Sequence, residues 1–443
     1  MHEGAGESRA GVVDRRTQAR GLDVKFSAFG ARFTRPTGAV VLMTDLGAAM
    51  AAEAPPIMLG GGNPAHIPEM LAIFRERFRA VLDDDRDFRR LVADYPDPEG
   101  ERTFRSALAG LLRSECGWNL GVENIALTAG SQQGFFLLFN LLAGPQVGGG
   151  ERRILLPLTP EYIGYGELGV TQDLFVSRRP DIEHLPDRLF KYRVDFAALQ
   201  GVRDVAAICA SRPTNPTGNV LTDDEVDRLR VLARRLDVPL ILDNAYGLPF
   251  PQIIFTNATP VWDENIILCM SLSKLGLPGL RTGIIVARPE IIAALGAMTA
   301  VTSLAVGSVG PVLVRELVAS GEVVRLSREV IRPFYEQRAA QAVLWLREAL
   351  EGCDWHVHTP EGALFLWLWL PQLSITSAEL YLRLKARGVL VLSGHHFFPG
   401  LDESPEEHWP HRDQCLRVTY ARDEATVRSG IAILGDEVRR WQR

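Results

Sequence analysis

Pro239-Leu240-Ile241-Leu242 stops at Asp243-Asn244-Ala245-Tyr246, and Asn265-Ile266-Ile267-Leu268-Cys269-Met270 stops at Ser271-Leu272-Ser273-Lys274. Each run is short and apolar without alternation, the pattern of a strand buried on both faces. Working outward, the same pattern recurs. Asn124-Ile125-Ala126-Leu127 leads into Gly130-Ser131, and Arg153-Ile154-Leu155-Leu156 ends at Pro157. Residues 205–209 end in Ser211-Arg212-Pro213, and residues 283–287 form a further run. Longer helical patterns separate these runs, and the one after Thr222 opens with a Thr222/Glu225 pairing that fits a capping box. Residues 123–287 therefore predict an α/β fold whose sheet is mostly parallel and covered by helices on both faces. Ligands bind beyond the carboxyl ends of such strands, and the polar clusters sit there.

Past about residue 325 the rhythm changes. A long helical stretch covers 328–350, followed by strand-like 362–370, a helix over 378–387, a strand over 389–392, another over 415–420 and a last helix over 425–441. These predict a smaller α+β domain. The expected division is a large domain over 57–325 and a small one over 25–56 and 326–443. Residues 1–24 mix Arg9, Arg15, Arg16 and Arg20 with Glu3, Glu7, Asp14 and Asp23 and lack an apolar stretch. They read as a disordered extension and not as a secretory signal.

Composition narrows the function classes. A net charge of -6 without a basic stripe argues against nucleic acid as a partner. No apolar run approaches the length of a membrane span. The five cysteines, Cys116, Cys209, Cys269, Cys353 and Cys415, are scattered without a CxxC pair. They suggest reduced thiols and a cytoplasmic protein.

Among 48 basic residues the lysines are Lys25, Lys191, Lys274 and Lys385; all others are arginine. Where arginine serves for generic charge, a retained lysine is a candidate for chemistry arginine cannot do, such as forming a Schiff base. Lys25, Lys191 and Lys385 read as solvated surface residues. Lys274 follows a strand, with Ser271 and Ser273 before it and Arg281 after it, a set suited to capturing a phosphorylated aldehyde. Ser-x-x-Lys is also the nucleophile motif of serine β-lactamases, but their Ser-Asp-Asn and Lys-Thr-Gly partners do not occur here. Asp243 at a strand end would be costly to bury unpaired, and a protonated pyridine nitrogen is one suitable partner. A helix N-cap with a packed Tyr246 is the simpler alternative. Ser211-Arg212-Pro213-Thr214-Asn215-Pro216-Thr217-Gly218 is a rigid turn that presents the Asn215 amide. Gly130-Ser131-Gln132 opens a helix, whose free N–H groups suit a phosphate.

Together these four segments resemble the fold-type I, class I/II aminotransferases. The resemblance implies pyridoxal 5′-phosphate (PLP), a large domain with a seven-stranded sheet, and a smaller α+β domain. It implies Lys274 as the catalytic, Schiff-base lysine and Asp243 and Tyr246 as partners of the cofactor ring. Tyr162 would stack on that ring, and Asn215 would serve both ring and substrate. Gly130, Ser131, Gln132, Ser271, Ser273 and Arg281 would hold the phosphate end. Tyr95 resembles the tyrosine that reaches the phosphate of a neighbouring subunit, which implies a homodimer. Arg417 in Leu416-Arg417-Val418 matches the clamp on the substrate α-carboxylate. Ala363, in Pro360-Glu361-Gly362-Ala363, stands where a second glycine is common.

A narrower likeness rests on Leu59-Gly60-Gly61-Gly62-Asn63-Pro64-Ala65, Pro160-Glu161-Tyr162-Ile163-Gly164-Tyr165 and residues 211–220, 243–251 and 269–279. It points to the subgroup that exchanges an amino group between a neutral aliphatic amino acid, valine first, and pyruvate, by a ping-pong route through Lys274. Aromatic or 2-aminoadipate transamination, lyase chemistry on the same scaffold and a PLP-binding regulator are the rivals. Phe29 and Phe33 are candidates for a side-chain pocket. His395, His396, His408 and His411 lack regular ligand spacing, so no metal is expected. Trp367 and Trp369 have strand period and read as packing residues, and Asp83-Asp84-Asp85 reads as a solvated turn.

Overall fold

Leu240 and Leu242 pack into one apolar cluster while Ile241 packs into another, the two-residue period of an extended chain. The next strand repeats it: Ile266, Leu268 and Met270 go to the first cluster, and Ile267 and Cys269 to the second. Both faces are therefore buried, and that is why these strands read as unbroken apolar runs. The computed structural model describes residues 25–35, 38, 40, 44, 47, 55–402, 404 and 407–442. The expected extension over 1–24 lies outside the described residues.

The large sheet runs in the order Ile125–Thr128, Gly283–Val286, Ile266–Ser271, Leu240–Asp243, Val205–Ser211, Glu151–Leu156, with Phe175–Ser177 beyond the last. Of these seven strands Gly283–Val286 is antiparallel to both neighbours, and the other pairings are parallel. A two-residue strand, Gly144–Pro145, hairpins onto Glu151–Arg152 as an eighth member. Helices Ser131–Leu142 and Pro289–Ser303 cover one face with Phe135, Phe139, Ile292 and Leu295. Helices Pro68–Asp83, Arg102–Cys116 and Asp223–Arg235 cover the other with Phe74, Phe104, Leu108 and Leu229. The last begins where the sequence indicates. Thr222 Oγ1 accepts from the Glu225 N–H at 3.2 Å, and Glu225 Oε2 accepts from the Thr222 N–H at 2.9 Å.

A second sheet has the order Leu392–Ser393, Cys415–Thr419, Phe365–Trp369, His356–His358, Leu189–Arg193, Asp181–His184. Its last two strands form a hairpin that leaves the large sheet after Phe175–Ser177 and returns to it at Val205–Ser211. The hairpin thus crosses the boundary expected at residue 325. It is hard to see in the sequence because a lysine interrupts its apolar pattern. Lys191 is the second departure: it is buried, not solvated, and pairs with Glu361 while donating to the Val220 carbonyl at 3.0 Å. Trp367 is buried within the same sheet and donates to Tyr192 Oη at 2.9 Å. Asp84 is a cap as well as a turn, since its Oδ1 accepts from the Asp87 N–H at 2.8 Å.

By contact the chain divides into residues 1–36 and residues 37–443. The first unit holds the helix Ala28–Phe33, where Phe29 and Phe33 stack with centroids 4.5 Å apart. Both rings are exposed. Among the described residues no helix is long and apolar enough to cross a membrane, and no group of His, Cys, Asp or Glu is arranged to hold a metal ion.

Candidate active site

Register sets the site. In the large sheet Ser211 pairs with Asp243, and Asp243 with Cys269; one step further, Ser271 pairs with Gly283 and Gly283 with Thr128. The polar residues that end separate apolar runs therefore share one edge of the sheet. Lys274 lies beyond Ser271, and its Nζ donates to the Gly62 carbonyl at 2.7 Å. That nitrogen is 5.3 Å from the centroid of the buried Tyr246 ring. Burial pushes the Lys274 ammonium down to about 8, with Arg417 and Arg281 repelling the charge and Asp243 favouring it.

Asp243 is held from two sides. Its Oδ2 accepts from Tyr165 Oη at 2.7 Å, and its Oδ1 from the Ala245 N–H at 3.0 Å. Burial raises the Asp243 carboxyl; these two bonds and Lys274 oppose the rise. A cation set against this carboxylate would relieve the penalty. Tyr162 stands edge-on to Tyr165, with centroids 5.4 Å apart. Gly164 has to be glycine here, because a Cβ would lie 2.5 Å from Tyr162 Cε1.

At the other end Gly130 caps the helix Ser131–Leu142 with φ +89°. A Cβ on Gly130 would sit 2.2 Å from Arg281 Nη2, so the guanidinium lies directly against the helix start. Positive side chain and helix N-terminus converge, as an anion requires. Ser271 Oγ is buried and accepts from the Ser273 N–H at 3.0 Å while donating to the Thr282 carbonyl at 3.3 Å. Gln132 Nε2 donates to the Gly164 carbonyl at 3.1 Å, and its buried Oε1 has no protein partner. Tyr95, 84% exposed, faces away from the chain's own core.

Arg417 enters from the second sheet. It is buried, with its guanidinium carbon 4.0 Å over the Phe365 ring. Nη1 donates to Asn215 Oδ1 at 2.7 Å and Nη2 to the Gly60 carbonyl at 2.6 Å, while Nε has no partner among the described residues. Burial lowers its hold on the proton to about 10. Asn215 is presented by its turn, in which the Gly218 N–H donates to the Thr214 carbonyl at 2.8 Å. Gly218 is at φ +74° and a Cβ there would be 2.7 Å from the Gly362 carbonyl, so the turn and the Pro360-Glu361-Gly362 segment lock together. Ala363, in the position where glycine is common, has φ +61°, a conformation that disfavours a side chain.

The sequence motifs thus meet, and five of their members to which no site role was given take part as well. Gly60 and Gly62 lend carbonyls to Arg417 and Lys274; Glu161, Tyr165 and Ser211 stand behind Asp243. The Gly60-Gly61-Gly62 run was the available signal for the first pair, since Gly60 lies so close to the backbone that a Cβ would be 2.6 Å from the Val391 carbonyl. An anion cradle, a lysine whose hold on its proton is weakened and a half-buried carboxylate with no ion-pair partner among the described residues fit the phosphate, aldehyde and ring nitrogen of PLP in turn. No metal enters that set.

The sequence profile of the family described as aminotransferase class I and II matches residues 74–434. The chain is 49% identical to valine–pyruvate aminotransferase of Escherichia coli (strain K12), over 94% of this chain and 98% of that protein. It superimposes on the crystal structure of valine–pyruvate aminotransferase from Salmonella typhimurium LT2 with a TM-score of 0.83 at 48% identity, covering 91% of this chain and 99% of the other. Its fold also matches kynurenine aminotransferase of Pyrococcus horikoshii, with a TM-score of 0.73 at 22% identity over 94% of this chain and 97% of the other. On the profile match and the near-complete relationship to the Escherichia coli protein, this chain belongs to the class I and II aminotransferases, enzymes that work with PLP.

Proposed function

We propose that the protein transfers the amino group of valine, or a close neutral aliphatic amino acid, to pyruvate, yielding the 2-oxo acid and alanine. The observation that carries this reading is the 49% identity, over nearly the whole of both chains, to a protein named valine–pyruvate aminotransferase. Charge in the interior supports it. Arg105, Arg212 and Arg417 are the arginines buried among the described residues. Arg105 is spent on Asp97 and three carbonyls, and Arg212 on Asp223 and two carbonyls. Of these three only Arg417 has a guanidinium without a carboxylate partner, which suits the α-carboxylate that all donors share and leaves no second buried arginine among the described residues for a side-chain carboxylate.

PLP, when bound, supplies an electron-withdrawing ring that stabilises charge at the carbon losing its proton. The residues do the rest. Arg281, Ser271, Ser273 and the helix start at Gly130-Ser131-Gln132 would hold the phosphate. Tyr162 would cover one ring face, Tyr246 would donate to the ring hydroxyl oxygen, and Asp243 would accept from the ring nitrogen. Arg417, with Asn215 fixing its plane, grips the substrate carboxylate. Lys274 would hold the aldehyde carbon of PLP until the donor's amino group displaces it, and the freed Nζ would act as base, taking the proton from the donor's Cα and, in the return half-reaction, delivering one to the carbon that becomes alanine's Cα. A fold that lets the ammonium drop to about 8 leaves a useful fraction of free amine near neutral pH. The exposure of Tyr95 suits a residue completing the phosphate site of a second copy in a homodimer, and sedimentation as a monomer would remove that role.

Rates for a panel of amino donors against pyruvate and 2-oxoglutarate test the substrate assignment. Valine with pyruvate should give the highest kcat/KM. Preference for aromatic donors with 2-oxoglutarate, or release of an oxo acid with no acceptor present, would replace it with another transamination or with lyase chemistry.

A further inference from the structure

Glu161 has no part in the chemistry above, yet it is buried to 0% exposure at the site's edge. Among the described residues no cationic side chain forms an ion pair with it. Its Oε1 accepts from the Ser211 N–H at 2.8 Å, and its Oε2 lies 2.5 Å from Ser211 Oγ. Ser211 Oγ is 3.4 Å from Tyr165 Oη, the loosest link, and Tyr165 O–H donates to Asp243 Oδ2 at 2.7 Å. The chain Glu161–Ser211–Tyr165–Asp243 thus joins the buried Glu161 carboxyl to the half-buried Asp243 carboxyl through two hydroxyls. The titratable groups that face Glu161 are Asp243, Tyr165 and Cys209, and none of them brings a positive charge.

Two carboxylates joined this closely, one of them wholly buried, do not both ionise readily. Asp243 has a reason to be the anion, since the cofactor's ring nitrogen supplies a cation to it; Glu161 has no such partner. As an acid, Glu161 donates its O–H to Ser211 Oγ. Ser211 can then donate to Tyr165, and Tyr165 to Asp243. Each hydroxyl accepts one bond and gives one, and the links polarise one another in a single direction. As a carboxylate, Glu161 would instead draw the Ser211 proton toward itself and leave Tyr165 unsupported.

We propose that Glu161 is a positioning residue held as a neutral acid, which drives a one-way hydroxyl chain through Ser211 and Tyr165 into Asp243 and so keeps the partner of the ring nitrogen anionic. The inference rests on the reading of Asp243 as that partner. Burial, which pushes the Glu161 carboxyl up to about 8 with the Asp243 charge adding to it and the Ser211 bonds opposing, agrees with the geometry.

The test uses holoenzyme carrying Glu161→Gln, Glu161→Ala, Tyr165→Phe or Asp243→Asn, with cofactor dissociation followed by dialysis and carboxyl protonation by infrared spectroscopy. Glutamine can donate an N–H where the acid gives its O–H, so Glu161→Gln should keep the dissociation constant within about threefold, well below the effect of a lost bond. Glu161→Ala and Tyr165→Phe should weaken it roughly tenfold to a hundredfold, the value of one hydrogen bond to a charged group. The parent should show a protonated-carboxyl C=O band that Glu161→Gln lacks. A merely structural glutamate would give no such band. Its absence, or a Glu161→Gln protein as weak as Glu161→Ala, overturns the proposal. If Glu161→Ala does not fold, the glutamine and phenylalanine variants with the infrared band decide the question. Asp243→Asn separates the two readings: unchanged cofactor affinity and absorption there would defeat the assignment of Asp243 itself. Loss in Asp243→Asn together with equal loss in Glu161→Gln and Glu161→Ala would defeat only the role of Glu161.

Discussion

The surroundings of Lys191 and Lys274 differ in one respect that matters. Lys191 is buried and Lys274 half-buried, and desolvation weakens the hold of each on its proton. Lys191 meets a carboxylate, Glu361, and the Val220 carbonyl, so its charge is answered. Lys274 meets a peptide carbonyl, while Arg417 and Arg281 push against its charge. The first environment stabilises an ammonium and makes a structural tie between the hairpin Leu189–Arg193 and the Pro360-Glu361-Gly362 segment. The second prepares an amine. Being a rare, buried lysine is therefore not enough to mark chemistry; the partner decides.

The largest expected difference is in turnover. Lys274→Ala should lower kcat by at least about a thousandfold, the scale of a lost general base, whereas Lys191→Met should leave kcat near the parent value. Comparable losses from both would break the contrast. Next comes stability. Lys191→Met strands Glu361 inside the fold and should reduce the unfolding free energy in urea by about 3–5 kcal/mol, with Glu361→Gln in the same chain restoring most of it. A single-variant effect below about 1 kcal/mol would place the pair with ordinary surface ion pairs. The smallest effect is a pH dependence. The native Lys274 ammonium is depressed to about 8 from the ordinary 10.5, so between those values the unfolded chain binds the extra proton. Stability of the cofactor-free protein should rise as pH climbs through that window. Lys274→Met should remove the rise; a rise that persists in the variant would assign it to another group.

Much of this was legible before any coordinates. Apolar runs ending in Asp243, Ser211 and Ser271 announce a two-faced sheet and its ligand edge, because burial on both sides forbids polar residues until the strand stops. Arg417 was less accessible: its strand reads as packing, and the resemblance to the aminotransferases singled it out. The hairpin of Asp181–His184 and Leu189–Arg193 was missed, since the charge of Lys191 disguises a buried strand. The pocket role suggested for Phe29 and Phe33 rests on apolar character alone; their rings stack on each other and are exposed.

By itself, then, the sequence determined the periodicity, the strand-end chemistry and the reactive lysine, all properties of residues near one another along the chain. Tertiary structure decided which charges face which. Glu161 and Ser211 are 50 positions apart, Lys191 and Glu361 are 170, and Arg417 and Gly60 are 357. A carboxyl group's charge depends on the dielectric and the donors around it, and no local pattern records those. That is why Glu161 passes as an ordinary acidic residue in the chain, and only in the fold stands behind Asp243 with no cation to hold its charge.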